Sequence, residues 1–532
     1  MGLQGCTASE PGAARAEGGI DQGVGLEPAD VPDSQARAAS SEWGAQLYQL
    51  HCVVCHGARG DGQGQAAYLL SPLPRDFGSG RFRLVSTENS VPSDEDLIAV
   101  LRRGMPGSAM PPFEWLRDEE QASLALYVRD LARAGIVQGL ERYAKEEGED
   151  FDEVEARSIA LERTTPGAAL ELGEAPEASA ALLARGQELY AISCTPCHGA
   201  DGRARAVDVQ WNEDGSPTRP RDFTAGIFKG GSSRADIVRR LRCGLPGSPM
   251  PSTELAEVGD AWALASYVAS LTRPGAEQLV LQERHALVAR ALRTLPAEPD
   301  ARGWDELEPV WLALMPLWWR DERIEGVELR VAHDGERVAF HLTWQDSTRD
   351  QEFLGTETFT DLVALQLTAQ SDPPLFTMGE AQKPVNIWSW KAAWELDRER
   401  PRDVADLHPN LSADLYGYQP EEAAPLFITA RAAGNPMALE HRCCAGEELT
   451  CSGFGTLATL PRARTTLDAS GLWKDGEWRV VFTRALESRA ADVVGLEPGG
   501  RAYFAAAVWD GSAGDRNGQK SVTVWHALEL ER

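Results

Sequence analysis

The sequence contains a Cys-x-x-Cys-His motif twice, and this repeat constrains the fold more than any other feature. The copies occupy residues 52–56 and 194–198. Two thiols at this spacing lie on one helical turn and can bond the two vinyl groups of a porphyrin, while the adjacent histidine lies under the iron. The motif therefore predicts two covalently bound c-type haems. The residues predicted to hold them are Cys52, Cys55 and His56 in the first copy and Cys194, Cys197 and His198 in the second.

The similarity between the two copies extends beyond the cysteines. Each copy has Gly-x-x-Leu-Tyr before the motif and Pro-Arg-Asp-Phe after it. Each then has Gly-x-x-Gly-Ser-x-Met-Pro, which places Met110 and Met250 at matching positions. A lone methionine usually fills a core, but the repeated loop predicts that these two are the second iron ligands. Met105 is a weaker candidate because Leu245 replaces it in the second copy.

A zinc site and a thioredoxin-like redox pair are the alternatives to haem. A structural zinc site usually needs four ligands, and each copy lacks a second Cys/His pair. A redox pair explains neither the histidine nor the downstream methionine. Ligation by His and Met fills both axial positions, which suits electron transfer and leaves no open position for peroxide or oxygen.

On these motifs, residues 41–131 and 179–271 each resemble a class I cytochrome c domain. The resemblance implies two all-α domains, for which we set the bounds 41–135 and 179–273. A helical pattern closes each copy, beginning in the first at Leu124 and ending at Leu131.

Residues 1–40 are predicted to be a flexible tether because they are rich in Ala, Gly, Pro, Ser and acidic residues. The segment before Thr7 ends in Leu-Gln-Gly-Cys, which resembles the lipobox of bacterial lipoproteins. That resemblance implies acylation of Cys6. The charged and apolar regions of an export signal do not precede it, so the alternatives are a lipoprotein whose signal has been trimmed, which is favoured, and an incidental cysteine.

The formal net charge of −29 over 532 residues argues against nucleic-acid binding, which requires basic patches. The chain has no run of 18 apolar residues that would predict a membrane-spanning helix. Seven acidic residues occur within residues 146–155 of the linker 136–178, for which a solvated helical spacer is favoured over a docking surface. A second linker, 274–300, is predicted to carry a short helix from Gln278 to Leu292.

Residues 301–532 have a different pattern, which predicts a mainly antiparallel β-sandwich. Alternating segments flank Asp334-Gly335 and predict a β-hairpin. Further strands are predicted at 477–486, 502–509 and 521–528. The whole chain is thus predicted to be a multidomain α + β protein.

A distinctive segment lies at residues 374–391, with the sequence PLFTMGEAQKPVNIWSWK. With it, this region resembles the haem-b-binding γ subunit of ethylbenzene dehydrogenase and of its relatives, the dimethyl sulfide dehydrogenases and the selenate and chlorate reductases. In that family a β-sandwich holds haem b between a methionine and a lysine. The resemblance implies that Met378 is the methionine and Lys520 the lysine, with Lys474 as the second choice. Lysine binds iron only as the neutral amine, so burial must lower its pKa.

The remaining cysteines suggest a disulfide or buried thiols. Cys451 could pair with Cys443 or Cys444 in an oxidising compartment. A metal site that includes His441 is the less favoured alternative. Cys243 takes the place of an arginine of the first repeat and is predicted to be a buried thiol.

These features predict an electron-transfer protein with two haem c and one haem b, and no catalytic residue is assigned. The family resemblance implies the iron–sulfur and molybdenum subunits of a dimethyl sulfoxide reductase-type enzyme as partners, and a quinol-linked complex or soluble cytochrome as a further electron carrier. Attachment of haem c implies a periplasmic or other extracytoplasmic location. The alternatives are a di-haem peroxidase with an accessory domain and a stand-alone electron carrier or binding module.

Overall fold

The computed structural model describes most of the chain beyond the first 37 residues. Cys6, His441 and Cys443 lie outside the described residues, so the acylation and the pairing or metal site predicted for them have no structural counterpart here. No helix in the described part of the chain is long and apolar enough to cross a membrane. The described ranges are 38–205, 208–255, 257–375, 378–400, 402, 404–410, 444–488 and 493–532.

The first helical unit is built around the crossing of its first and last helices. Gly44 lies at this crossing, where an added Cβ would be 2.0 Å from the backbone oxygen of Ser123. The side chain of Ser40 caps the first helix by accepting a hydrogen bond from the Trp43 amide. The helices are α1 (Ser41–His51), α2 (Val53–His56), α3 (Asp94–Arg103) and α4 (Asp118–Glu147).

The acidic linker is partly helical and packs against the first unit. Helix α4 continues past residue 135, and α5 (Glu153–Thr164) follows it. Arg129 of α4 donates a 2.7 Å hydrogen bond to the carbonyl oxygen of Thr164, which fastens α5 to α4. All ten residues of the acidic stretch 146–155 are exposed, as expected of a solvated segment.

The second helical unit repeats the first. Gly186 lies at the equivalent crossing, where an added Cβ would be 2.1 Å from the backbone oxygen of Ala263. Cys243, predicted to be a buried thiol, is half-buried at the end of a helix. The elements are α6 (Ala180–Ser193), α7 (Thr195–His198), β1 (Gln210–Trp211), β2 (Pro217–Thr218), α8 (Arg234–Cys243) and α9 (Val258–Ser270).

The second linker differs from its prediction. The helix predicted from Gln278 to Leu292 is wrong: only the short α10 (Ala276–Val280) is helical, and β3 (Ala286–Ala291) is a strand. Leu287 and Ala289 are buried while their neighbours are exposed, and this alternation is the period of a strand. A short apolar run does not distinguish helix from strand by pattern alone.

Strand β3 joins the two sheets of the C-terminal domain through its parallel neighbours β16 and β6. In the described part of this domain, all other strand pairs are antiparallel, as predicted. The remaining elements are β4 (Val310–Ala313), β5 (Met315–Pro316), β6 (Gly326–His333), β7 (Arg337–Gln345), β8 (Leu362–Thr368), β9 (Val385–Lys391), α11 (Ala392–Glu399), α12 (Val404–Leu407), β10 (Gly446–Cys451), β11 (Ala458–Thr459), β12 (Asp468–Lys474), β13 (Glu477–Ala485), β14 (Arg501–Trp509), β15 (Ser521–Val522) and β16 (His526–Leu530).

Aromatic side chains fill the space between the two sheets. Phe340 of one sheet contacts Trp388 and Phe504 of the other, with ring centroids 5.4 and 6.0 Å apart. The predicted hairpin is present as β6 and β7, and the strands at 477–486 and 502–509 are present as β13 and β14. The strand predicted at 521–528 is two separate strands, β15 and β16.

The disulfide predicted between Cys451 and Cys444 is not formed, and both residues are buried free thiols. Strand β10, about 17 Å long at the usual rise per residue, separates them. A disulfide requires Cα atoms within about 7 Å. Cys444 instead accepts hydrogen bonds from the amides of Gly446 and Ala469.

Candidate functional site

The first Cys-x-x-Cys-His motif forms the short helix α2, and the chain around it fixes the histidine. The hydroxyl of Tyr48 donates a 2.8 Å hydrogen bond to the carbonyl oxygen of Gly57, which follows the motif. Nδ1 of His56 lies 3.1 Å from the carbonyl oxygen of Arg75, and Phe77 stacks on the imidazole at 4.6 Å. Because Nδ1–H donates to the carbonyl, the tautomer leaves Nε2 with its lone pair for a metal.

A cavity of about 400 Å³ brings the predicted residues of the first site together. Cys52, Cys55, His56 and Met110 all line it. Met110 lies in a tight turn in which its carbonyl oxygen accepts a 3.0 Å hydrogen bond from the Met105 amide. Met105 also lines the cavity.

The second unit reproduces the histidine geometry. Tyr190 donates a 2.9 Å hydrogen bond to the carbonyl oxygen of Gly199. Nδ1 of His198 lies 3.3 Å from the carbonyl oxygen of Arg221, and Phe223 stacks on the imidazole at 4.3 Å.

The methionine turn is also repeated. The Leu245 amide donates a 3.0 Å hydrogen bond to the carbonyl oxygen of Met250, and the Ser248 hydroxyl donates to that of Leu245. Each bond matches one in the first unit, where Ser108 holds Met105. The two units therefore hold the candidate histidines and methionines in matching local contacts.

The geometry disfavours the zinc alternative. Within the described residues, one group of three side chains has ligand atoms close enough together to hold a metal ion. All three members of that group are aspartates. The sulfur atoms of Cys52 and Cys55 do not meet Nε2 or Nδ1 of His56 in this way. Burial raises the pKa of Cys52 to about 12 and of Cys55 to about 11, so both are neutral thiols in the absence of a bound group.

A group of basic side chains lies between the two helical units and was not predicted from the sequence. Arg75, Arg83 and Lys229 line the first cavity together with Asp214. Burial lowers the pKa of Lys229 well below its ordinary value, and the charges of Arg221, Arg83 and Arg75 lower it further. These charges favour an anionic group beside them, and the carboxylates of a haem fit this requirement. Arg75 and Arg221 belong to the repeated Pro-Arg-Asp-Phe segments, which was the available signal.

The β domain brings Met378 and Lys520 together. Nζ of Lys520 lies 3.9 Å from Sδ of Met378. Burial lowers the pKa of Lys520 to about 8, which favours the neutral amine needed to bind iron. Lys474, the second choice, is exposed at the end of β12, and Lys383 forms an ion pair with Asp372.

Met378 lies on the outer face of one sheet, away from the aromatic core. It packs against an apolar cluster that includes Ala505 and Trp525. Its backbone is left-handed, with φ of +67°, an uncommon conformation for a residue other than glycine that often marks a functional site. Lys520 lies over the ring of Trp509 at 4.7 Å.

This outer face contacts the first helical unit. The Leu317 amide donates a 2.8 Å hydrogen bond to the carbonyl oxygen of Lys520, and the Ser71 amide donates a 2.9 Å hydrogen bond to that of Leu317. Pro72, the next residue, lines the first cavity, as does Leu375 from the segment before Met378.

The family comparisons identify the kinds of domain in the chain. The cytochrome c family model matches residues 41–132 and 183–272, and the ethylbenzene dehydrogenase family model matches residues 318–521. The chain joins two cytochrome c domains to an ethylbenzene dehydrogenase-type domain. The cytochrome c domains imply haem c, and the third domain implies haem b.

A protein of Haloferax mediterranei, provisionally named as a respiratory nitrate reductase haem subunit, is 25% identical over 238 residues, which are 43% of this chain and 67% of that protein. A chain of the reducing HAO-like protein complex of Kuenenia stuttgartiensis is 30% identical, with a TM-score of 0.38, and the match covers 44% of this chain and 97% of that one. A carbohydrate-binding protein of Bacteroides uniformis is 9% identical, with a TM-score of 0.27 over 47% of this chain and all of that one.

Proposed function

We propose that this chain is the electron-transfer subunit of an extracytoplasmic molybdenum oxidoreductase, with two haem c and one haem b. The observation that carries the proposal is the contact of the Met378–Lys520 pair with the wall of the first haem c cavity, through Leu317 and Ser71. Haem supplies one-electron redox chemistry when bound. The chain supplies ligands, charge compensation and the distances between sites.

In this proposal the first helical unit lies between the two other haem sites. It contacts the β domain through Ser71 and Leu317, and it contacts the second helical unit through Arg103, which donates a 2.8 Å hydrogen bond to the carbonyl oxygen of Lys229. Because Lys229 also lines the first cavity, the two cytochrome c domains share one wall. We propose the order haem b, first haem c, second haem c. The second helical unit also contacts the β domain directly, through the ion pair of Arg219 with Asp321.

The molybdenum partner is inferred from relatives. The Haloferax protein is named as a nitrate reductase haem subunit, and the third domain belongs to the ethylbenzene dehydrogenase family. We propose that the β domain faces an iron–sulfur subunit and that the second cytochrome c domain exchanges electrons with a quinol-linked complex or a soluble cytochrome. The proposed location is the periplasm, with a lipid anchor at Cys6.

Acid–acetone extraction tests the haem content. We expect one haem to enter the solvent and two to remain on the protein, at a ratio of one to two. Absence of extractable haem from fully loaded protein would contradict the role proposed for residues 301–532. Retention of fewer than two haems by the protein would show that at least one Cys-x-x-Cys-His motif does not bind haem, which would contradict the proposal.

Purification of the chain from its native host, followed by metal analysis, tests the partner. We expect molybdenum and non-haem iron to co-purify in a fixed ratio to haem, and the complex to reoxidise or reduce the haems when the partner's substrate is added. A chain that purifies alone with high peroxidase turnover would favour the di-haem peroxidase instead. Loss of that turnover in His56→Ala or His198→Ala would identify the haem responsible.

A further inference from the structure

A second site lies in the β domain, in the loops that follow β7 and β14. Asp346 begins the first loop, Asp361 precedes β8, and Asp510 begins the second loop. One carboxylate oxygen from each of the three lies within 4.8 Å of the other two. Asp361 is fully buried and Asp346 is 6% exposed.

Local contacts fix the three carboxylates in place. Asp361 accepts hydrogen bonds from the amides of Asp350 and Gly511 and from the indole of Trp478, at 2.8 to 2.9 Å. A Cβ on Gly511 would lie 2.3 Å from the carbonyl oxygen of Phe359, so glycine permits the close approach of the two loops. A carboxylate has about four acceptor positions, so Asp361 retains one.

Asp346 carries the observation that points to a ligand. Its Oδ1 accepts hydrogen bonds from the amide and hydroxyl of Thr348, whereas its buried Oδ2 has no partner. Among the described residues, no basic side chain forms an ion pair with Asp346, Asp361 or Asp510. A buried carboxylate oxygen without a donor is costly unless a cation or a proton satisfies it.

We propose that Asp346, Asp361 and Asp510 form a binding site for a Ca²⁺ ion. Carboxylate oxygens are the ligands that hard divalent cations prefer, and Ca²⁺ holds them at about 2.3–2.6 Å. Oxygens on opposite sides of such an ion are up to about 5 Å apart, and the three carboxylate oxygens here lie within that limit.

The electrostatics agree with a missing positive charge. Burial, together with the charge of Asp346, raises the pKa of Asp361 to about 7. Burial, together with the charges of Asp510 and Asp350, raises the pKa of Asp346 to about 6. A bound cation would remove this repulsion. It would also fix loop 510–519, which leads directly into Lys520.

Calcium binding to the full, haem-loaded chain tests the proposal. After dialysis against a metal-free buffer, equilibrium dialysis with ⁴⁵Ca²⁺ is expected to show one site per chain that excess Mg²⁺ displaces poorly. Saturation with Ca²⁺ at about 100 times the dissociation constant is expected to raise the Tm of the β domain by about 5–10 °C over the protein in EGTA.

Asp346→Asn should abolish both effects, because the amide removes the charge of the unpartnered oxygen. Asp475→Asn is the matched control, since Asp475 is exposed in the turn between β12 and β13. If Asp346→Asn does not fold, Asp510→Asn replaces it, and the wild-type measurements stand by themselves. Absence of ⁴⁵Ca²⁺ binding to the wild type, or binding unchanged in the folded variant, would overturn the proposal.

Discussion

Lys520 and Met378 lie 142 positions apart in the sequence, yet Nζ of one is 3.9 Å from Sδ of the other. A thioether sulfur and a neutral amine can each bind iron, and burial lowers the pKa of Lys520 to about 8, which favours the neutral amine. Met378 and Lys520 would therefore hold haem b if it is bound in this domain.

Substitution of Lys520 tests this pair. We expect Lys520→Ala to lose the extractable haem b while both covalent haems remain, because one axial ligand is gone. Met378→Ala should have the same effect. Lys474→Ala is the control and should retain all three haems, since Lys474 is exposed. The pyridine haemochrome spectrum of each fraction gives the counts, and loss of haem b from Lys474→Ala alone would overturn the assignment of Lys520.

The local arrangement of the first Cys-x-x-Cys-His motif was predictable because its signal is local. Cys52, Cys55 and His56 lie on one helical turn, and spacing alone defines their geometry. Lys520 was not predictable from spacing, since its approach to Met378 depends on how β14 and the following loop return to the sheet. It was named through a family resemblance.

The methionines of the two helical units can be tested separately. We expect Met110→Ala to open one axial position in the first unit and Met250→Ala to do so in the second, because each occupies the same turn. Each variant should lower the reduction potential of one haem c, since the thioether stabilises ferrous iron. Spectroelectrochemical titration measures this. Met105→Ala is the control, and a larger loss of potential there than in Met110→Ala would reverse the choice of ligand.

The crossing of α1 and α4 depends on a residue without a side chain. A Cβ on Gly44 would lie 2.0 Å from the Ser123 carbonyl oxygen, so the helices would have to separate. We expect Gly44→Ala to lower the free energy of unfolding by about 1–3 kcal/mol. Gly139→Ala, in the open part of α4, is the control and should raise stability by about 0.5–1 kcal/mol. Equal effects of the two substitutions in denaturant unfolding would contradict the close crossing.

A buried ion pair lies in the β domain. Nη1 of Arg484 lies 2.9 Å from Oε1 of Glu448, and both side chains are almost fully buried. Arg484→Ala leaves the Glu448 charge buried and unpaired, and we expect a loss of about 3–5 kcal/mol. Arg479→Ala breaks the more exposed pair with Glu477 and should cost at most about 1 kcal/mol. Urea unfolding of both variants measures the difference, and a similar cost for the two would show that burial of the pair is unimportant.

The parts of the fold that sequence analysis missed all depend on distant segments. The apolar run in strand β3 is too short for its pattern to distinguish a helix from a strand. Its position is set by pairing with β16 and β6, which lie later in the chain. The basic group around Lys229 arises only when two helical units pack together. The three aspartates meet only when two loops of the sandwich close on each other.

The pH dependence of calcium stabilisation follows from the same aspartates. Because the folded-state pKa of Asp361 is about 7 and that of Asp346 about 6, against about 4 when unfolded, the calcium-free folded protein holds extra protons between pH 4 and 7. These carboxylates therefore destabilise it increasingly as pH rises through this window. Protons compete with Ca²⁺, so the difference in Tm between Ca²⁺ and EGTA should grow from pH 5 to pH 7.5.

The difference in Tm between Ca²⁺ and EGTA is the quantity to measure because buried histidines change the stability with pH in the opposite direction. Burial lowers the pKa of His526 to about 3 and of His341 to about 4, so their contribution to stability increases as pH rises toward about 6.5. That contribution is common to both samples and cancels. The charged groups facing the aspartates are Asp350, Asp510 and Asp515, the last paired with Arg320. A Tm difference that is constant or shrinks between pH 5 and 7.5 would show that protons and Ca²⁺ do not share these carboxylates.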